Sequence, residues 1–374
     1  MRGMGEIDFE AEGLLEGLEG EPREGRRRLL AELCADGVGL EELRRAIAED
    51  RLALLPVERT LAGGDGRYTA AEVAEKAGLP REFLDRQRRS LGLALQPDDE
   101  PVYTDRDLEA ARRVAALREG GLPDEGILET ARLLGMTMSQ LAAANRSLVA
   151  ETFLKPGDNE HEVATRLRQA AEAFTPLTAE SLAYVLNLHL REQIRHDALG
   201  AGDAQGRTAG SQDACVAFAD MVDFTRLGET LAPDELGAVT GRLSELASAV
   251  VEPPVRLVKL IGDAAMMVGT EPAPVLDAAV ELVAAAEAEG DDFPLLRAGV
   301  ASGPALSRGG DWYGRPVNLA SRVTTIARPG SVLATEEVHA ALEGSYDWSF
   351  AGTRRLKGID GSVKLFRCRR PEPE

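Results

Sequence analysis

Cysteine is scarce in this chain. Cys34, Cys215 and Cys368 are the only three in 374 residues, far apart and odd in number. They can build neither a disulfide framework nor a C-x-x-C metal or redox site, and such usage fits a reducing cytosol. Aromatic residues make up 4%, too few for a ready platform on which single-stranded nucleic acid could stack. Basic charge is in deficit: 43 Lys+Arg against 63 Asp+Glu leave a net charge of −20, which weighs against nucleic acid or an anionic membrane as the default partner. No apolar stretch approaches the ~20 residues of a membrane span, and the first residues are acidic rather than basic-then-apolar. A soluble, cytoplasmic protein without a membrane span is expected. Three signatures are also missing: the G-x-x-x-x-G-K-[ST] phosphate loop, the G-x-S-x-G elbow, and H-E-x-x-H, since His161-Glu162 lacks its second histidine.

What is present divides at one seam. The stretch 197–212 is small and polar, holds four glycines and shows no periodicity, so it reads as a flexible linker. It separates a helical domain, 1–196, from a second domain, 213–374. Upstream, Leu29, Leu30 and Leu33, then Leu40, Leu43 and Ile47, fall at the three- and four-residue spacings of amphipathic helices. Thr69 with Glu72 forms a capping box, Gly78 turns the chain and Pro80 opens another helix. A further helix starts near Tyr103. These pieces resemble the helix-turn-helix head of MerR-type regulators, with Arg81, Arg86, Arg88 and Arg89 on the second helix. Residues 68–120 nevertheless carry nine basic against eleven acidic side chains, which repels a phosphate backbone, so nucleic-acid binding is disfavoured.

The spacing over 159–197 predicts one or two helices broken at Pro176, with Thr178 capping the second. On it, His189 and His196 lie seven residues apart and share a side of the helix. They are candidates for a protonation switch at the entrance to the linker, histidine being the side chain that titrates between pH 5 and 8.

Beyond the linker the period changes. Apolar runs at 214–219, 255–261, 264–268 and 295–301 read as strands, and 233–250, 275–289 and 317–326 as helices. Their order is β-α-β-β-α-β, a split sheet with helices on one face and an α+β class. Three motifs stand on this frame. Phe218-Ala-Asp220-Met-Val-Asp-Phe-Thr225 ends a strand in a carboxylate just before amides turn towards a helix, where phosphate oxygens can be held. Lys259-Leu-Ile-Gly-Asp263 puts a second carboxylate at a hairpin turn; two such groups suit Mg²⁺, which takes one or two carboxylates plus substrate oxygens. Asp311-Trp-Tyr-Gly-Arg-Pro-Val-Asn318-Leu-Ala-Ser-Arg322 sets Asn318 and Arg322 four apart on one helix face.

Residues 213–370 thereby resemble the catalytic domain of class III nucleotidyl cyclases, and the fold implied is ferredoxin-like. The resemblance implies Asp220 and Asp263 as metal carboxylates, joined by the Met221 backbone, for two Mg²⁺ or Mn²⁺ ions. It implies Lys259 and Asp311 as the purine-reading pair, Phe224 and Thr225 as substrate contacts, and Asn318 and Arg322 as the groups that orient the ribose and stabilise the transition state. Lys357 in Leu356-Lys357-Gly358 would bring a further cation to the triphosphate. A Lys donor with an Asp acceptor matches adenine N1 and its 6-amino group, whereas guanine presents the reverse, so ATP is expected over GTP. In this family the metal and purine halves of a site come from opposite subunits, which implies a head-to-tail homodimer. The helical domain ahead of such a unit makes the architecture similar to actinobacterial pH-sensing adenylyl cyclases. The alternative is a MerR-like DNA-binding regulator that senses nucleotide through a cyclase-like domain. One position departs from the family: Asp223 stands where most members have glycine.

Overall fold

The structure, a computed structural model, describes residues 7–64, 66–200 and 211–369; the side chains of 196–200 and of 211 lie outside the description. Two units separate, Met1–Gly202 and Asp203–Glu374, each with its own buried clusters. The helical unit contains α1 (Gly20–Ala35), α2 (Leu40–Ala48), α3 (Leu55–Ala62), α4 (Ala70–Ala77), α5 (Arg81–Ser90), α6 (Asp105–Glu119), α7 (Asp124–Phe153) and α8 (Glu160–Gly200). The leucines whose spacing announced the first helices, Leu29, Leu30, Leu33 and Leu43, are fully buried in one cluster. Ala164 of α8 joins that cluster, and Arg26 of α1 grips Glu160 through two hydrogen bonds of 2.7 and 2.6 Å.

A second cluster unites α4, α5, α6 and the start of α7 around Val73, Phe83, Leu108 and Leu128. The capping box at α4 forms as expected: the Glu72 amide donates to Thr69 Oγ1 at 3.3 Å and the Thr69 amide to Glu72 Oε2 at 2.8 Å. Gly78 closes the helix with φ of 69°, a left-handed conformation that glycine adopts without steric cost. The likeness to a winged-helix head goes no further. Among the described residues this unit has no strand, only the single bridge Tyr68–Tyr103, so there is no wing. The arginines of α5 are also occupied: Arg81 pairs with Asp85 and Asp98, Arg86 pairs with Glu125, and Arg88 donates to the Ala94 carbonyl while lying over the Tyr103 ring.

The expected break at Pro176 does not occur. The helix α8 runs through the proline, and the Thr178 hydroxyl donates back to the Phe174 carbonyl at 2.9 Å instead of capping a new start. Proline removes one backbone donor and crowds the carbonyl four residues earlier, which bends a helix without ending it when both flanking turns stay bonded.

In the second unit the order is β1 (Ser211–Met221), α9 (Phe224–Gly228), α10 (Pro233–Val250), β2 (Arg256–Ile261), β3 (Ala264–Gly269), α11 (Pro272–Ala288), β4 (Leu296–Arg308), β5 (Asp311–Tyr313), α12 (Arg315–Ile326), β6 (Val332–Thr335), α13 (Glu336–Ala341), β7 (Asp347–Arg354) and β8 (Val363–Arg369). The sheet order is β2-β3-β1-β4-β6-β8-β7, with β5 paired to β4. Its first four strands, β2-β3-β1-β4, carry the ferredoxin-like β-α-β-β-α-β arrangement, and three further strands extend it past β4. Central β1 is buried on both faces, as its unbroken apolar run requires. Cys215, Ala217, Ala219 and Met221 face the cluster that includes Leu243 of α10 and Leu282 of α11, while Ala214 and Val216 face the cluster that includes Leu319 and Val323 of α12. The helices are therefore not all on one face. The second face is covered because β1 and β4 present apolar side chains on both sides, and α12 supplies the apolar stripe that closes the other.

Close approach of α12 to β4 depends on Gly299. A Cβ there would stand 2.3 Å from the Thr324 amide nitrogen and 2.6 Å from the Ala320 carbonyl oxygen. Since both obstacles are backbone, Gly299→Ala is expected to destabilise the catalytic unit by about 3 kcal/mol, measurable as a large fall in thermal midpoint.

Candidate active site

The register of β1 assembles the first group. Asp220 sits near the strand end, opposite Ala264 on β3 and Arg297 on β4. The next residue, Met221, donates its amide to the Asp263 carbonyl at 3.0 Å, which ties the β2–β3 turn to the end of β1. Gly262 makes that turn with φ of 62°. Burial pushes the Asp263 carboxyl above the usual carboxylate range and the nearby Asp220 charge pushes the same way, against the opposing effects of its own backbone amide and of Arg297. Two carboxylates thus share one polar corner.

Arg297 offsets their repulsion. Its guanidinium donates to Asp220 Oδ2 from Nε at 3.1 Å and from Nη2 at 2.7 Å, and from Nη1 to the Thr325 carbonyl at 3.1 Å. Sequence reasoning missed this residue. Its signal was an arginine in the first turn of an apolar run, Leu296-Arg297-Ala298-Gly299-Val300, where a charge needs a partner. The partner is 77 positions away and only the strand register reveals it.

The second group lies along the same sheet. Lys259 of β2 pairs directly with Asp311 Oδ2 on β5, and both side chains are partly exposed, at 39% and 30%. The other oxygen, Asp311 Oδ1, accepts the Trp312 amide at 2.8 Å, so the carboxylate is held with one oxygen facing the lysine. The third group is on α12. Leu319, Ala320 and Val323 bury one side of the helix, and the Thr324 hydroxyl donates to the Phe218 and Ala320 carbonyls at 3.1 and 2.8 Å. This leaves Asn318 and Arg322 exposed, their side chains without a hydrogen bond or ion pair among the described residues.

Other expected residues fall less centrally. Phe224 packs its ring partly against the main core, so at the start of α9 it offers backbone rather than side chain; Thr225 is exposed beside it. Lys357 is exposed in the β7–β8 connection, where Gly358 has φ of 79°, and it makes no contact with either carboxylate group among the described residues. His189 is exposed on α8, and the His196 side chain lies outside the described residues. Asp223 explains the family's preference for glycine. It has φ of 58° and ψ of 20°, a left-handed conformation that aspartate tolerates better than most side chains, and its carboxylate lies 3.7 Å from Arg226.

The donor set suits a hard divalent cation: two carboxylates and backbone oxygen at a strand end, with a guanidinium standing where positive charge is needed. No group of three or more His, Cys, Asp or Glu side chains able to hold a metal occurs among the described residues. Any ion here has to complete its shell with oxygens from elsewhere, as substrate phosphates provide.

Residues 7–194 match the family model for the adenylate cyclase regulatory domain, and 207–368 match that for the adenylate and guanylate cyclase catalytic domain. The chain is 41% identical over 372 residues to a protein described as pH-sensitive adenylate cyclase MT1302 of Mycobacterium tuberculosis (strain CDC 1551 / Oshkosh), spanning 97% of this chain and 92% of that one. It is 32% identical over 290 residues to an adenylate cyclase of Streptomyces griseus, spanning 76% and 70% of the two chains. Among solved structures, the catalytic core of a rhodopsin-guanylyl cyclase with converted specificity is similar at 21% identity and a TM-score of 0.40, over 42% of this chain and 96% of that one. The chain belongs to the adenylate cyclases in which this regulatory domain precedes the cyclase catalytic domain, and it is an adenylate cyclase. The segment with helix-turn-helix likeness falls wholly inside the regulatory-domain match.

Removing the guanidinium tests the carboxylate corner without an activity assay. Asp220 and Arg297 are 22% and 26% exposed, so solvent screens part of their attraction. Arg297→Met is expected to cost about 1–2 kcal/mol in chelator, and the deficit should shrink when Mn²⁺ is added, read by thermal melting with and without metal.

Proposed function

We propose that this adenylate cyclase converts ATP to 3′,5′-cyclic AMP and pyrophosphate at two equivalent sites shared between the subunits of a homodimer, under control of its helical unit. The ribose 3′-oxygen forms the new bond to the α-phosphorus, the bond to the β-phosphate breaks, and the 3′-hydroxyl proton is lost. The observation that carries the reading is that one chain holds both half-sites complete: the Asp220–Asp263–Arg297 corner and the Lys259–Asp311 pair.

Mg²⁺ or Mn²⁺, two per site and held by Asp220, Asp263 and the Met221 carbonyl, would supply the charge that acidifies the 3′-hydroxyl and neutralises the triphosphate. The chain's residues do the positioning. Lys259 donates to adenine N1 and Asp311 Oδ2 accepts from the 6-amino group, so the two must part from each other when the base enters. Because Oδ1 stays on the Trp312 amide, the carboxylate keeps its orientation as the pair opens. Asn318 orients the ribose. Arg322, its side chain without a partner among the described residues, meets charge developing on the α-phosphate with a planar fork that binds two oxygens. The amides of Phe224 and Thr225 face the phosphates, and Lys357 brings a further cation. Arg297 keeps Asp220 oriented through two hydrogen bonds to Oδ2.

No helix among the described residues is long and apolar enough to cross a membrane, in keeping with a cytoplasmic enzyme. The similarity to a relative described as pH-sensitive supports regulation by pH, with His189 and His196 on α8 as the protonation points. The alternative of a DNA-binding regulator loses support because three of the four arginines of α5 are held within the unit.

Two measurements test the proposal. Asp220→Ala and Lys259→Ala chains, each expected to lose at least about 10²-fold in kcat, should regain activity on equal mixing, up to about a quarter of wild type, because about half of the dimers are then heterodimers and one of the two sites in each is intact; verified heterodimers without activity count against shared sites. Activity across pH 5 to 8 should flatten in His189→Ala/His196→Ala, while an unchanged profile removes these histidines from the switch.

A further inference from the structure

Helix α12 carries Asn318 and Arg322, and an apolar face alone holds a helix loosely. Leu319, Ala320 and Val323 press α12 against the sheet, a contact that excludes water but is non-directional. One polar group is buried with them. Thr324 is 3% exposed, and in the catalytic unit only Thr324 and Thr335 are buried polar residues among those described. Thr335 Oγ1 finds no hydrogen-bond partner among the described residues, whereas the Thr324 hydroxyl has acceptors on two elements.

The Ala320 carbonyl, 2.8 Å from Thr324 Oγ1, is the acceptor any helical threonine can reach on the turn behind it. The Phe218 carbonyl is different. It lies on β1, 106 positions away and two residues before Asp220, and accepts from the same hydroxyl at 3.1 Å. Strand β4 makes room for that hydroxyl: a Cβ on residue 299 would stand 2.7 Å from Thr324 Oγ1, and glycine has none. One residue further on, the Thr325 carbonyl accepts from Arg297, which also holds Asp220. The end of α12 is thus tied by directional bonds to the strands that form the carboxylate corner. Thr324 lies two positions beyond Arg322, about 200° around the helix, so the tie is on the side away from the guanidinium.

We propose, building on the function proposed above, that Thr324 is a positioning residue of the cyclase reaction: its hydroxyl, bonded to the Phe218 carbonyl, fixes the rotation and height of α12 and thereby sets Asn318 and Arg322 against the ribose and the α-phosphate. The bond needs no contact with substrate. A misplacement of about 1 Å in a group that acts in the transition state costs roughly 10²-fold in rate, which apolar packing alone does not prevent. Because α12 follows β5 directly, Asn318 and Arg322 go with the Lys259–Asp311 half of a site, and Thr324 serves that half.

The test uses the full-length chain with ATP and Mn²⁺. Thr324→Val keeps the branched shape and loses the hydroxyl; it is expected to lower kcat at least about tenfold while KM stays within about twofold, the mark of an interaction that matters only in the transition state. Thr324→Ser, which restores the donor, should bring kcat back to within about threefold of wild type. Thr240→Val on α10, whose hydroxyl bonds only to the Leu236 and Gly237 carbonyls of its own helix, leaves both constants unchanged. An unchanged kcat in Thr324→Val, or no rescue by serine, overturns the proposal. Heterodimers locate the effect. With Asp220→Ala in one chain and Lys259→Ala in the other, the single intact site takes Lys259, Asn318 and Arg322 from the Asp220→Ala chain. Thr324→Val should lower activity when placed in that chain and leave it unchanged in the Lys259→Ala chain. Equal losses from either chain mark a general loss of structure, and loss from the Lys259→Ala chain alone marks an effect through Asp220; both overturn the proposal. If the heterodimers are inactive before Thr324 is changed, the shared site alone is wrong, and the kcat against KM split with serine rescue decides on Thr324.

Discussion

The catalytic unit depends on the register of β1 between two antiparallel neighbours. That register puts Asp220 beside Arg297 on one side and, through the Met221 amide, next to the turn that carries Asp263 on the other. Burial raises the Asp263 carboxyl first and the neighbouring Asp220 charge adds to it, while the guanidinium of Arg297 works the other way. The corner is therefore a preformed demand for positive charge. An adenylate cyclase needs such a corner, because its substrate arrives with a triphosphate that must be neutralised before one oxygen can attack another's phosphorus.

The β2–β3 hairpin links this corner to the Lys259–Asp311 pair. Lys259 and Asp263 are four positions apart, yet the lysine turns to Asp311 on β5 while the aspartate turns to the end of β1. One short segment thus carries both contacts, Lys259 on β2 and Asp263 in the turn that follows it. Helix α12 adds a third group on its free side, since its other side is spent on β1 and β4. Asn318 and Arg322 share exposure, and neither side chain has a partner among the described residues.

The helical unit follows a different economy. Three of the four arginines of α5 are tied to acidic neighbours or a carbonyl, which gives nucleic acid little to grip there. The far part of α8 carries exposed apolar side chains, Tyr184, Leu186 and Ile194 among them, and so does α7 at Leu134, Met136 and Leu148.

Residue type and short spacing singled out Asp220, Asp263, Lys259, Asp311, Asn318 and Arg322 as candidates, with individual roles that the resemblance to class III cyclases implied, and the capping box at Thr69 announced its helix. Relations between distant positions were not legible. Arg297 reads as a stray charge in an apolar run until strand pairing sets it against a carboxylate 77 residues earlier. The face taken by α12 depends on β1 and β4 being apolar on both sides and on Gly299 clearing the way. The continuation of α8 through Pro176 depends on bonding in the turns around it, which outweighs one missing donor. Local composition alone determined which chemistry the chain carries, because hydrogen-bonding type and charge belong to single side chains. Tertiary structure alone decided which of those groups meet, because cross-strand register and helix packing are settled by burying the whole sheet at once.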